Sequence, residues 1–254
     1  MAAAKARRAA GFSLPLTMAL AFSLMTLASG IVGMVVVSDK QAKAAASELV
    51  TRTTLESAIE QGLYGLERDG APAVGEWTDR ESLNGLDVTL TFMPTRYKAD
   101  LNQSGPDEIG AAIAEPQLAQ RIAAALAAPS PHEPRPQFKR FSDFVQAVGA
   151  DAAEEDCLRR RVTIGRTDAA TAPTPPQSAL VPPRIPLAPA VLIDVRAEIR
   201  DPEGRRVVLW RRVRYSGKPE RPWLTHDWRE MRLPRSDLDC PAPEPATNAI
   251  AAGG

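Results

Sequence analysis

The oxygen-rich run Asp100, Asn102, Ser104, Asp107 and Glu108 is the part of this sequence that comes nearest to a metal site. Calcium takes six to eight oxygen ligands, and Asp100, Asn102 and Asp107 are the candidates to supply them. A helix start accounts for the same residues. Ser104 with Asp107 fits a capping box, Pro106 suits a first turn, and Asp107 and Glu108 complement the helix dipole. Capping is the simpler reading, and calcium stays open beside it. The chain has two histidines, His132 and His226, too few for a His-rich metal centre. His226-Asp227 could orient a proton shuttle, with Ser216 near in sequence. No nucleophile elbow, Gly-rich phosphate loop or metal-ligand pair accompanies them, so a surface pair and no enzyme are expected. Cys157 and Cys240 could form a bridge tying the tail to the middle of the chain in an oxidising compartment, or stay as two free thiols.

"GRRVVLWRRVRYSGK" mixes arginine with aromatic residues, as nucleic-acid surfaces do. Arg206, Arg212 and Arg214 fall on the polar face of a strand, near Glu198, and a solvated sheet face is the expectation. Lys+Arg 31 against Asp+Glu 31 gives no excess to hold a polyanion, so no nucleic acid is expected as a partner.

These residues need elements to hold them. From Phe12 to Val37 there is no charged side chain, which makes about 39 Å of helix at ~1.5 Å per residue, enough to cross a bilayer core. Secretory signals have shorter apolar regions, so a single-pass anchor is preferred over signal cleavage. Lys5, Arg7 and Arg8 place the short N-terminal end in the cytoplasm. Beyond Val37 the chain turns polar but stays alanine-rich, without proline between Leu16 and Gly70. Leu49, Leu55, Ile59, Leu63 and Leu66 form one stripe, and Gly70 with Pro72 supplies a stop. One helix over residues 13–68 is predicted, its outer half packed on a domain; two separate helices are the alternative.

"LDVTLTFMPTRYKADLN" alternates as a strand, a turn near Pro94 and a second strand ending at Leu101. "EPQLAQRIAAALAA" is a helix with Leu118, Ile122 and Leu126 on one stripe. Residues 167–189 form a proline-rich connector without a core of its own, expected to run over the surface. "VLIDVRAEIR", the turn "DPEG" and "RRVVLWRRVRY" make a hairpin that covers the long helix, with Asp194, Arg196, Glu198 and Arg200 on its far face. The tail from Ser236 is rich in proline and alanine, and disorder is expected there.

The stretch "RRAAGFSL" resembles the leader of type IV pilins and of the pseudopilins of type II secretion. In those families a prepilin peptidase cuts after the glycine, here Gly11, and methylates the new N-terminal residue, here Phe12. Body subunits carry a glutamate at the fifth mature residue, which neutralises the terminal amine of a neighbour. Here that residue is Leu16, as suits a subunit with nothing docked above it, because an unpartnered buried carboxylate is costly. Lys98-Ala99-Asp100-Leu101-Asn102 is similar to the "[KR]-x-D-L-N" entry of the K-type minor pseudopilins into their helical domain. Phe138, Phe141, Val145, Val148 and Gly149, then Val162-Thr163-Ile164, take the places of that family's helix-turn-helix and following strand. A longer helical stretch common in the family is missing, so a smaller insertion is expected.

The resemblance implies an α+β fold, with a pseudopilin-like long N-terminal helix on an antiparallel sheet and an inserted helical, helix-hairpin-helix (SAM-like) subdomain. Its boundaries are a leader at 1–11, a membrane half of the helix at 12–37, an outer half at 38–70 and first strands at 71–100. The insertion follows at 101–166, the connector at 167–189, closing strands at 190–233 and the tail at 234–254. It implies assembly at the tip of the pseudopilus, in the inner membrane with the C-terminal domain in the periplasm. The partners implied are the I-type and J-type minor pseudopilins, the major pseudopilin, the prepilin peptidase and the inner-membrane assembly platform. Calcium is associated with the helical domain of that family. A minor pilin or DNA-uptake protein of a type IV pilus-like machine, or a single-pass anchored periplasmic protein, are the other readings.

Overall fold

The computed structural model describes residues 13–72, 75–113, 115–128, 130, 133–165, 184–201 and 204–234. Gly11, Phe12, Cys240 and most of the connector and tail lie outside the described residues, as does the side chain of Leu16. The protein is mixed α and β, a long N-terminal helix plus an antiparallel sheet of five strands.

Helix α1 runs over Ser13–Asp69 without a break, since its one proline, Pro15, lies in the first turn and none follows. The chain divides within it into two compact units, Met1–Thr51 and Arg52–Gly254. In the first unit the described side chains of α1 are uncharged, mostly apolar and exposed up to Val37, with the hydroxyls of Ser23, Thr26 and Ser29 bonded back to the helix's own carbonyls, and the helix is long and apolar enough to cross a membrane. Leu49, expected on the packed stripe, is exposed there.

In the second unit Leu55, Ile59, Leu63 and Leu66 of α1 are buried at three- and four-residue steps. They pack on strands β2 (Trp77–Leu83), β3 (Leu86–Pro94), β7 (Leu192–Arg200), β8 (Arg206–Tyr215) and β9 (Trp223–Leu233), hydrogen-bonded in the order β2-β3-β7-β8-β9. Val88, Leu90 and Phe92 of β3 face α1 together with Ile193, Val195, Ala197 and Ile199 of β7. At Gly62 α1 comes so near the sheet that a Cβ would lie 2.7 Å from the Phe92 ring, itself stacked on Trp77 at 5.2 Å. Two of these strands fall within the strand regions 71–100 and 190–233 but have no individual strand reading in the sequence: β2, whose polar "WTDRESL" gives little alternation, and β9, which extends the predicted hairpin to three strands.

The connector is also more engaged than its composition suggests. Its end forms β6 (Arg184–Ile185), paired antiparallel with β1 (Ala71–Pro72), and Leu187 packs against the core under α1.

Between β3 and β7 the chain builds a helical subdomain. A 3-10 turn (Thr95–Tyr97) leads to β4 (Ala99–Asp100), then α2 (Pro106–Ala111), α3 (Pro116–Leu126), α4 (Phe141–Val148), α5 (Ala152–Arg161) and β5 (Val162–Thr163). Leu101, Ile109, Leu118, Ile122, Phe144 and Leu158 form its own core. Gly149, at φ 65°, turns α4 into α5, which Asp151 and Glu154 start with a reciprocal capping box. Entry and exit lie side by side, since β4 and β5 pair in parallel through Ala99↔Val162 and Asp100↔Thr163.

Candidate functional site

The residues singled out at the entry of the subdomain are its fastenings. Lys98 reaches under the sheet, where its Nζ donates to Asp194 Oδ2 at 2.6 Å and to the carbonyl of Arg159. Asp194 also accepts from Arg212 Nε at 2.7 Å and Nη2 at 3.0 Å, and Arg212 Nη2 donates to Thr163 Oγ1 at 2.9 Å. One carboxylate thus holds two cations, and those cations reach both ends of the insertion. Asp194 is held well below the usual carboxylate range, because the charges and hydrogen bonds of Lys98 and Arg212 outweigh the burial that alone would raise it. Burial pushes Lys98 down from 10.5 to about 8, against the pull of Asp194.

The next residues show how the backbone turns. Asp100 Oδ1 accepts the Asn102 N–H at 2.8 Å, an Asx turn, and Leu101 N donates to the Thr163 carbonyl. The Asn102 side chain clamps the start of the second helical block. Its Nδ2 donates to the Phe138 carbonyl at 2.8 Å, and its Oδ1 accepts the Phe138 N–H at 2.9 Å. Asp107 sits in the first turn of α2 after Pro106, as expected. The expected Ser104–Asp107 capping box is absent. Gly105 is the cap residue, and Ser104 Oγ instead accepts the Asp100 N–H at 3.1 Å. Asn102 spends both amide atoms on Phe138, and among the described residues no group of three or more His, Cys, Asp or Glu side chains converges.

A second fastening joins α5 to the far face of the sheet. Asp156 accepts from Arg196 Nε at 2.8 Å and Nη2 at 3.0 Å, and from Trp210 Nε1 at 2.7 Å. Arg196 is 1% exposed and also pairs with Glu198 at 2.6 Å. Met93, Ala153, Val208, Trp210, Met231 and Leu233 pack around this group. The expectation of a solvated face at Arg206, Arg212 and Arg214 is overturned at Arg212, which bonds Asp194, the Ile164 carbonyl and Thr163 where the helical subdomain covers the sheet, and Arg206 is buried too. The signal lay in "VVLW", a run without alternation, as suits a strand buried on both faces.

The remaining candidates are placed apart. His226 is exposed and sits at a β-bulge, for Arg212 pairs with Asp227 and Val213 with Thr225. Asp227 accepts from Arg159 Nη1 at 3.1 Å. Ser216 closes its own turn, donating to the Arg221 carbonyl and accepting from Lys218 N. Cys157, on α5, is disulfide-bonded.

The charged groups of this arrangement are paired in the interior, where they fasten the helical subdomain to the sheet. No family model, no curated protein and no solved structure matches this chain.

Proposed function

We propose that this chain is a K-type minor pseudopilin of a type II secretion system, placed at the tip of the pseudopilus, where it starts or caps assembly. Its role is assembly, not catalysis. In this reading the leader ends at Gly11, the peptidase exposes and methylates Phe12, and α1 holds the chain in the inner membrane with the rest in the periplasm. It joins the I-type and J-type minor pseudopilins, above the major pseudopilin and the assembly platform, and the filament helps export folded proteins.

The observation that carries the reading is one unbroken helix of two characters, with a subdomain spliced into the sheet beyond it. From Thr17 the described helix is uncharged, mostly apolar and exposed up to Val37; from Leu55 one face of it is buried against an antiparallel sheet. The insertion between β3 and β7 is a helical subdomain with its own core, a bulk that supports a place at the tip. Leu16 in place of an acid fits a subunit with no neighbour above it.

The N-terminal sequence of the mature chain, made with and without prepilin peptidase, tests this. The expected result is a methylated Phe12 start that depends on the peptidase, and a start at Met1 in both overturns the proposal. Co-purification with the I-type and J-type partners is the second measurement, and no association overturns the tip assignment.

A further inference from the structure

Beside the bulge of β9 lies an open cleft of about 930 Å³, walled by α4 and α5 on one side and by the ends of β7, β8 and β9 on the other. Its lining is unbalanced in charge. Among the described residues, Lys139, Arg140, Arg159, Arg212 and Arg229 face two carboxylates, Glu155 and Asp227.

Both acids are already engaged. Arg159, nearly buried, bonds Glu155 through Nε at 3.0 Å and Asp227 through Nη1 at 3.1 Å, with its guanidinium over the Phe141 ring. Arg229 lies 3.4 Å from the same Glu155 oxygen while its side chain stays 56% exposed. Arg212 is satisfied by Asp194. Lys139 and Arg140, just before α4, are exposed and have no ion pair among the described residues. Between the cations the walls are apolar, formed by Phe141, Val145, Ile164 and Leu192. The bulge turns His226 and Asp227 towards this space, and bulges on outer strands commonly re-aim side chains in this way.

We propose that this cleft docks an acidic, partly apolar segment of a partner protein, its carboxylates on Lys139, Arg140 and Arg229 and its apolar side chains on Val145 and Leu192. Charge complementarity selects the occupant, since the surplus is positive and the opposing acids are spent. The apolar walls distinguish a peptide from a simple anion. The proposal is independent of pseudopilus assembly and would hold for any anchored protein with this domain.

The test uses the full chain in zwitterionic nanodiscs and two fluorescein-labelled peptides, one alternating glutamate with valine and one alternating lysine with valine. Anisotropy should show the acidic peptide binding, more weakly as salt rises, and the basic peptide not binding. The double variant Lys139→Glu/Arg140→Glu should weaken binding by about tenfold or more. Both side chains are exposed, so its thermal melt should match the parent's. Val145→Asp, which acidifies the wall without touching the rim cations, should also weaken it. Equal binding of both peptides, or an acidic peptide indifferent to the rim reversal, overturns the proposal. So does displacement of the acidic peptide by phosphatidylglycerol vesicles that themselves lose binding on rim reversal, since the cleft would then read a lipid surface. Competition by a synthetic peptide of residues 235–254 in place of the alternating probe would assign the cleft to the chain's own tail and overturn it equally.

Discussion

Lys98 Nζ and Asp194 Oδ2 meet 2.6 Å apart where both side chains are almost wholly buried, 96 positions apart in sequence. The pair joins the entry of the subdomain, just before β4, to β7, the strand of the main sheet that follows it. Removing one member leaves the other group's charge in the interior. Asp194→Ala strands both Lys98 and Arg212, and a loss of about 3–5 kcal/mol is expected in urea unfolding. Lys98→Met leaves Asp194 paired with Arg212 and should cost less, about 1–2 kcal/mol. Equal losses would show that Arg212 does not hold Asp194 by itself.

The same pair sets two pH responses of known sign. Asp194 titrates lower in the folded chain than its ordinary 3.8, so below that pH the unfolded chain binds more protons. The stability from Asp194 is present above that value and is lost as pH falls below it. Lys98 titrates near 8 when folded and near 10.5 when unfolded. Between those values the unfolded chain again binds more protons, so this contribution makes stability rise with pH across the window. Urea midpoints measured from pH 3 to 5 and from about 8 to 10.5 should show both slopes. Asp194→Asn should flatten the first, and Lys98→Met the second.

Asp156 is the corresponding test for α5. Asp156→Ala leaves the Arg196 guanidinium and the Trp210 indole N–H without their shared acceptor, although Glu198 still holds one side of Arg196. A loss of about 3 kcal/mol is expected, together with faster amide exchange in α5 than in α3. Uniform exchange across the subdomain would mean that α5 is held chiefly by its apolar contacts.

The outer half of α1 has one close approach to probe. A Cβ at Gly62 would lie 2.7 Å from the Phe92 ring and 3.0 Å from Leu90 Cδ1, and the ring cannot swing away while stacked on Trp77. Gly62→Val should lower stability by about 2–3 kcal/mol through overpacking. Gly65→Ala, where no atom lies within 4 Å, should instead be neutral or stabilise by up to about 1 kcal/mol. Opposite signs at the two glycines, read from thermal melts, would locate the helix–sheet contact.

The contrast between local and distant signals explains what the sequence disclosed. Alternation in "VLIDVRAEIR" marks β7 and the face with Ile193, Val195, Ala197 and Ile199, because both depend only on period 2. The stripe of Leu55, Ile59, Leu63 and Leu66 marks α1 in the same way. The far face of β7 misleads for a physical reason. Asp194 and Arg196 read as the polar face of the hairpin, but their partners Lys98 and Asp156 come from elements 96 and 40 positions away. Charge alternation says nothing of such pairing. Asp100 and Asn102 were visible as unusual residues, yet their oxygen atoms suggest metal or capping equally well. Only the approach of Phe138 reveals the clamp.

On the proposed tip assignment, Leu16 is the residue to test for assembly. If the protein occupies the tip, nothing docks over its mature N-terminal turn, and an acid there would have no amine to neutralise. A carboxylate at membrane depth then costs about 3 kcal/mol on an insertion scale, more than a hundredfold in an equilibrium. Leu16→Glu should therefore leave pseudopili few and secretion sharply reduced, with the variant still present in the membrane fraction. Leu16→Gln, of similar shape and uncharged, should retain most secretion, separating charge from packing. Should the glutamate variant assemble and secrete as the parent does, the fifth mature position carries no tip signal, and a neighbour's amine must lie within reach of it.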